Sequence, residues 1–303
     1  MPIPTQDVPP FLSYKPSVGS SSGEDFHDPK LLQFPGPARL HWKKFLGAGE
    51  DGFVIQAITD TSLFAVKFVC ILPLSFALLI LTRKQFYHSK PPARPFHRQY
   101  WALERECRTA SLLAMIQTAS RRRIESGCPA VHINPEPETH EDAIANLEIF
   151  SSECFDNGNP HSNHGKPFTL DVRINRCFGW LELSRRAVLA LLRRQPRKDY
   201  ALVPQLQRAH GLDDSERCFA VVYEYVPEGD LDPEIVQRHL DFFYLAGFAL
   251  MPFREDNWRG NVLVDHSDLI PPQNLLWWKP HYGRMEIGWY FEELRKSAAA
   301  SRI

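Results

Sequence analysis

The 303-residue chain lacks paired cysteines, an excess of either charge, and any apolar run long enough to span a bilayer. Cys70, Cys107, Cys128, Cys154, Cys177 and Cys218 form no Cys-x-x-Cys pair, and no secretory signal precedes them. A disulfide framework and a zinc site are therefore without support, and reduced thiols in the nucleus or cytosol are expected. Lysine plus arginine total 35 against 36 for aspartate plus glutamate, so no global field would hold the chain on DNA or an anionic membrane. Direct contact with nucleic acid is not expected. The most apolar stretch, Cys70 to Leu81, contains Pro73 and falls short of the roughly 20 residues a membrane-spanning helix needs, so no membrane partner is expected. It is read as an insertion or as translated intron sequence. No internal repeat is apparent.

What is present suggests a mixed chain. Residues 1–33 are rich in Pro, Ser and Gly and read as a disordered leader. From Trp42 to Val69, two β-rich segments, FVIQAI and LFAVKFV, flank the turn Thr59-Asp60-Thr61-Ser62, which predicts an antiparallel hairpin. Trp101 to Gln117 carries Leu103, Ala110, Leu113 and Ile116 near one helical face. Residues 121–166 are polar and contain prolines and histidines, and read as an insertion with at most one short helix near Asp142 to Phe150. Strands are expected within Thr169 to Leu183 and at Cys218 to Val226, with a basic helix from Ser184 to about Arg194 between them. Asp232 followed by Pro233 announces a further helix, because an aspartate N-cap and a proline in the first turn both satisfy a helix start. Val236, Leu240, Phe243 and Gly247 hold its apolar face.

The chemistry-bearing pattern begins at Gly47-Ala48-Gly49-Glu50-Asp51-Gly52-Phe53-Val54, a complete G-x-G-x-x-G-x-V. Glycine is needed in such a loop because backbone amides must approach phosphate oxygens without a Cβ in the way. A strand rather than a helix follows the last glycine, which excludes the dinucleotide-binding arrangement. Fifteen residues after Gly52, the alternating strand Phe64-Ala65-Val66-Lys67-Phe68-Val69 carries one lysine, a point charge suited to nucleotide phosphates. The same lysine also fits an exposed strand face. Glu106 is the natural ion-pair partner on the following helix, with Glu104 as the fallback.

The segment from Val221 to Leu231, VVYEYVPEGDL, then resembles the hinge of the protein-kinase superfamily. Tyr223 stands in the gatekeeper place, and Glu224 to Val226 offer backbone groups to an adenine. Loop, lysine, helix glutamate and hinge occur in the kinase order. The resemblance implies an α+β, bilobed protein-kinase-like fold with a small antiparallel-sheet N-lobe (34–226, with insertions at 70–97 and 121–166) and a truncated helical C-lobe (227–303).

It also implies a catalytic loop, for which two registers compete. In one, Asp256 and Asn261 have the Asp-to-Asn spacing, and Asp256 is the base of an active phosphotransferase. In the other, Gly247 to Pro252 fills the kinase stretch, Pro252 replaces the base, and Asn257 is the asparagine. The tight turn at Arg259-Gly260-Asn261 then leads to Leu263-Val264-Asp265. This second register fits the helix end at Gly247 and leaves room for the hairpin. In it, Asn257 and Asp265 are the magnesium ligands and ATP is bound by Gly47, Gly49, Gly52, Val54, Lys67, Glu106, Tyr223, Glu224 and Val226. The segments Phe34-Pro35-Gly36-Pro37, Glu106-Cys107-Arg108, Arg176-Cys177-Phe178-Gly179-Trp180 and Asp256-Asn257-Trp258-Arg259-Gly260 are similar to a fungal kinase-like family that includes a kinetochore Sim-complex subunit. That likeness implies a pseudokinase scaffold with protein partners in a nuclear assembly. An assembly subunit that binds no nucleotide is the remaining alternative. His132, His140, His161 and His164 follow no metal-ligand spacing, and the arginines at 121–123 and 185–197 read as solvated faces.

Overall fold

The computed structural model describes residues 8–14, 21–49, 52–69, 102–127, 130–156, 165–194, 217–250, 254–274 and 276–288. In chain order these form β1 (Leu12–Ser13), α1 (Gly23–His27), β2 (Leu31–Leu32), β3 (His41–Gly49), β4 (Gly52–Ile58), β5 (Leu63–Val69), α2 (Ala102–Glu125), β6 (Val131–Ile133), α3 (His140–Glu148) and α4 (Ser152–Asp156). There follow β7 (Lys166–Phe168), β8 (Cys177–Ser184), α5 (Arg185–Arg193), β9 (Arg217–Glu224), α6 (Pro233–Leu245), β10 (Ala249–Leu250), β11 (Trp258–Arg259), β12 (Val262–Leu263) and β13 (Leu269–Ile270). The protein is thus a mixed α+β chain with antiparallel sheet. It divides into two compact units, one made of Met1–Pro16, Lys30–Arg108 and Arg176–Tyr225, the other of Ser17–Pro29, Thr109–Asn175 and Val226–Ile303. The insertion at 70–97 lies outside the described residues.

The first unit is built on a five-stranded antiparallel sheet in the order β3-β4-β5-β9-β8. Strand alternation sorts the side chains. Phe53, Ile55, Ala57, Phe64, Val66, Phe68, Leu181, Ala220 and Val222 share one face, which Val188, Leu191 and Leu192 of α5 cover to close an apolar core. Phe53 stacks on Phe68 with ring centroids 4.9 Å apart. Register places Val54, Lys67, Val221 and Tyr223 together on the opposite face. Ser184 caps α5 by accepting from the Ala187 N–H, as the basic helix read from Ser184 requires.

The described parts of the leader, residues 8–14 and 21–33, differ from the disorder expected of its composition. Phe11 and Phe26 are fully buried, and β1 runs parallel to β2. The Phe34 N–H donates to the Trp180 carbonyl at 2.7 Å, the Trp180 indole donates to the Ser13 carbonyl at 3.1 Å, and Tyr14 stacks edge-on against Trp180. Gly179 permits this crossing. Its φ is +124°, and a Cβ there would run into the Leu32 carbonyl and lie 2.9 Å from the Phe34 nitrogen. A few well-spaced apolar residues, invisible to average composition, tie the leader down.

In the second unit, Phe26, Leu112, Leu113, Ile116, Leu147, Ile149, Phe150, Val236, Leu240, Phe242 and Phe243 form one core. Residues 109–175 therefore belong with 226–303 rather than with the 34–226 lobe read from sequence. The stretch 121–166 is less of an insertion than its polarity suggests: α2 continues to Glu125, and β6, α3, α4 and β7 follow. Thr139 and Asp142 cap α3 reciprocally. The Asn146 side chain accepts from the Asn134 N–H and donates to its carbonyl, both at 2.9 Å, which fixes the loop ahead of that helix. Asp232 caps α6 as its Asp-Pro start predicts, and the helix ends before Gly247, φ +89°. Among the described residues no helix is long and apolar enough to cross a membrane.

Candidate functional site

In the first unit the glycine motif is a hairpin tip. Gly47 pairs with Val54, Ala48 with Phe53 and Gly49 with Gly52, while Glu50 and Asp51 at the turn lie outside the described residues. A Cβ built on Gly47 meets nothing within 4 Å, so the space beside this strand is open to an approaching group.

Lys67 is a central residue of β5, paired with Val54 on one side and Val221 on the other. Its ammonium lies 2.9 Å from Glu106 Oε2, and the two side chains are only 8% and 1% exposed. The other carboxylate oxygen accepts from the Tyr223 hydroxyl at 2.5 Å. Glu106 is thus held at both oxygens, by a strand lysine and by the tyrosine at the end of β9. Glu104, the fallback partner, instead pairs with Arg108 one helical turn on, at 3.0 Å. Burial, and then the Glu106 charge, push the Tyr223 phenol well above its usual range, which keeps it a proton donor to that carboxylate. Burial likewise raises the thiols of Cys107, well above the usual value, and of Cys177, to about 12. Both are inert neutral thiols at physiological pH. No spacing rule pointed to the Tyr223–Glu106 bond, because a tyrosine in an aromatic-rich strand reads as core.

At the end of β9, the Glu224 N–H donates to the Arg176 carbonyl at 2.8 Å and the Tyr225 N–H to the Leu63 carbonyl at 3.3 Å. The Val226 side chain is buried, and no described residue accepts from its N–H.

In the second unit, Asp256 is exposed and chelated by Arg254, with Nε and Nη2 at 3.2 and 2.9 Å from its two oxygens. Asn257 is buried, and its amide donates to Asp268. Asp265 caps the following turn by accepting from the Ser267 N–H at 2.9 Å. β11 and β12 form the tight hairpin around Gly260 and Asn261, both with positive φ. Asn261 is committed elsewhere, its Oδ1 accepting from the Asp232 N–H at the start of α6. Pro252 lies outside the described residues. Sequence reasoning passed over Asp268, three residues beyond Asp265, although an acid at that offset was visible. His140 Nε2 sits 2.7 Å from the Pro272 carbonyl and its ring tilts against Trp277. Among the described residues no three His, Cys, Asp or Glu side chains come together as a metal-holding group. His161 and His164 lie outside them.

No protein-family model matches the chain, and no curated protein or solved structure matches it either.

Proposed function

We propose that the chain is a protein-kinase-like nucleotide-binding scaffold in which phosphotransfer is impaired. The observation that carries this reading is the buried Lys67–Glu106 pair, joining the middle of a five-stranded antiparallel sheet to a helix beside a glycine hairpin. The fit for a nucleoside triphosphate is good within the first unit. The open space at Gly47 admits a phosphate group, and Lys67 brings a cation held in place by Glu106.

The fit for a magnesium ion is poorer. Oxygen ligands are required, yet the Asn257 amide is drawn to Asp268 and one Asp265 oxygen is taken by Ser267. The chelation of Asp256 by Arg254 also favours impaired over active chemistry, since a general base must reach a substrate hydroxyl. Such a scaffold would act through protein partners, in keeping with the nuclear assembly that the sequence resemblance implies.

Thermal unfolding of the full chain with ATP, with and without magnesium, tests the reading. Saturation at about 100 times Kd should stabilise by roughly 2.7 kcal/mol, and Lys67→Met should abolish the shift. Phosphotransfer lost on Asp256→Asn would establish the active alternative instead. No shift with any nucleotide would leave the assembly subunit that binds none. The Tyr223 hydroxyl favours that second reading, because it engages the Glu106 oxygen that Lys67 does not.

A further inference from the structure

A small open recess in the second unit is lined by Ser21, Thr118, Arg122, Arg123, Ser152 and Phe155, among others. Two guanidinium groups from adjacent residues lie over the Phe155 ring, 5.3 and 5.1 Å from its centroid. Stacking orients a guanidinium while leaving its N–H donors at the ring's periphery. The Arg122 guanidinium makes no hydrogen bond or ion pair with any described residue. The Ser21 hydroxyl is likewise unengaged among the described residues, although its carbonyl and the residue that follows it are held in place. The Ser21 carbonyl accepts from the Ser152 N–H at 2.9 Å, and the next residue, Ser22, caps α1, whose Phe26 is fully buried. A fixed serine hydroxyl and an unpaired guanidinium therefore line one small recess. Glu153, an exposed acid on α4, is already engaged by the Gly23 N–H and the Ser152 hydroxyl.

We propose that this recess is a receptor for a phosphate monoester carried on Ser21, making Ser21 a modification site that fastens the segment entering α1 to α2 and α4. A separate protein kinase would supply the group from a nucleoside triphosphate. The Ser21 Oγ–P bond forms as the bond from phosphorus to the nucleoside diphosphate oxygen breaks, and the hydroxyl proton passes to that kinase's base. The product dianion offers three acceptor oxygens, suited to bidentate donation by Arg122 and a further contact from Arg123.

The test uses the full chain with phosphoserine incorporated at position 21. In a 31P NMR titration the second phosphate pKa, ordinarily about 6, should fall to about 5, because adjacent guanidinium groups favour the dianion. Arg122→Gln, a change at a partly exposed position, should return it to about 6, as should 1 M salt on the unsubstituted arginine. Hydrogen exchange of the amides in α1 should slow about tenfold on phosphorylation. An ordinary titration, unchanged by Arg122→Gln, would overturn the proposal, and so would faster exchange in α1 on phosphorylation.

Discussion

Lys67→Met removes one partner of a pair whose carboxylate is 1% exposed, so Glu106 loses its cation while keeping the Tyr223 hydroxyl. Breaking a buried pair in this way costs about 3–5 kcal/mol, because a charge is left in a low-dielectric interior. The geometry also fixes what should restore stability. Lys67→Met with Glu106→Met removes both charges and takes away the carboxylate to which the buried Tyr223 hydroxyl donates, a loss of about 1–3 kcal/mol. Adding Tyr223→Phe removes that hydroxyl and should bring stability to within about 1 kcal/mol of the parent, allowing for imperfect packing. Urea unfolding of the four proteins, followed by circular dichroism and tryptophan fluorescence, measures the series. The order single, double, triple, from least to most stable, is the signature. A single variant within about 0.5 kcal/mol of the parent would refute the reasoning, since that is the behaviour of a solvent-screened surface pair.

Burial lowers the His239 imidazole from 6.5 to about 4, with Arg238 acting in the same direction and Asp171 against it. Only the unfolded chain binds this proton between those values, so stability should be unaffected above about pH 6.5 and fall as pH drops towards 4, by roughly 3 kcal/mol. His239→Phe should flatten that part of the pH–stability curve, and an unchanged slope would count against it. Gly179→Ala should cost about 1–3 kcal/mol from its positive φ alone. It should also speed hydrogen exchange across residues 31–34, because the new Cβ displaces the segment that crosses it. Cys107 and Cys177 should resist iodoacetamide at pH 8 until the protein unfolds, their thiols being held neutral by burial. Native-state labelling at the unfolded rate would exclude that account.

The parts of the fold legible in sequence are those whose signals are local. Alternation in FVIQAI and LFAVKFV, the Asp232-Pro233 helix start and the Ser184 cap each correspond to an element in the structure. The leader and the 121–166 stretch were misread because their few apolar anchors, Phe11, Phe26, Leu147 and Phe150, are buried by partners distant in sequence. Thr169 to Arg176 was also read as strand, whereas β8 begins at Cys177. Its apolar residues Leu170, Val172 and Ile174 pack on the second unit's core instead. Within the site, sequence singled out Lys67 and named Glu106 as its partner, with Glu104 as the fallback. Only the helix orientation separates them, since one faces the sheet and the other faces Arg108. The attachment of Asn257 to Asp268, and of Asn261 to Asp232, depends on rotamers that no pattern encodes.

The strand order of the main sheet has a consequence for synthesis. β5 pairs with β4 on one side, but its other neighbour, β9, begins at Arg217. On a ribosome adding about 5–20 residues per second, β5 waits through about 150 residues, roughly 7–30 s, before that partner emerges. During this interval LFAVKFV offers an unsatisfied backbone edge with an apolar composition, the kind of surface that recruits other nascent chains. Lys67 is its one charge. Before it ever meets Glu106, the same ammonium breaks the apolar run at the edge most open to mispairing, so chaperone dependence during translation should rise when it is replaced.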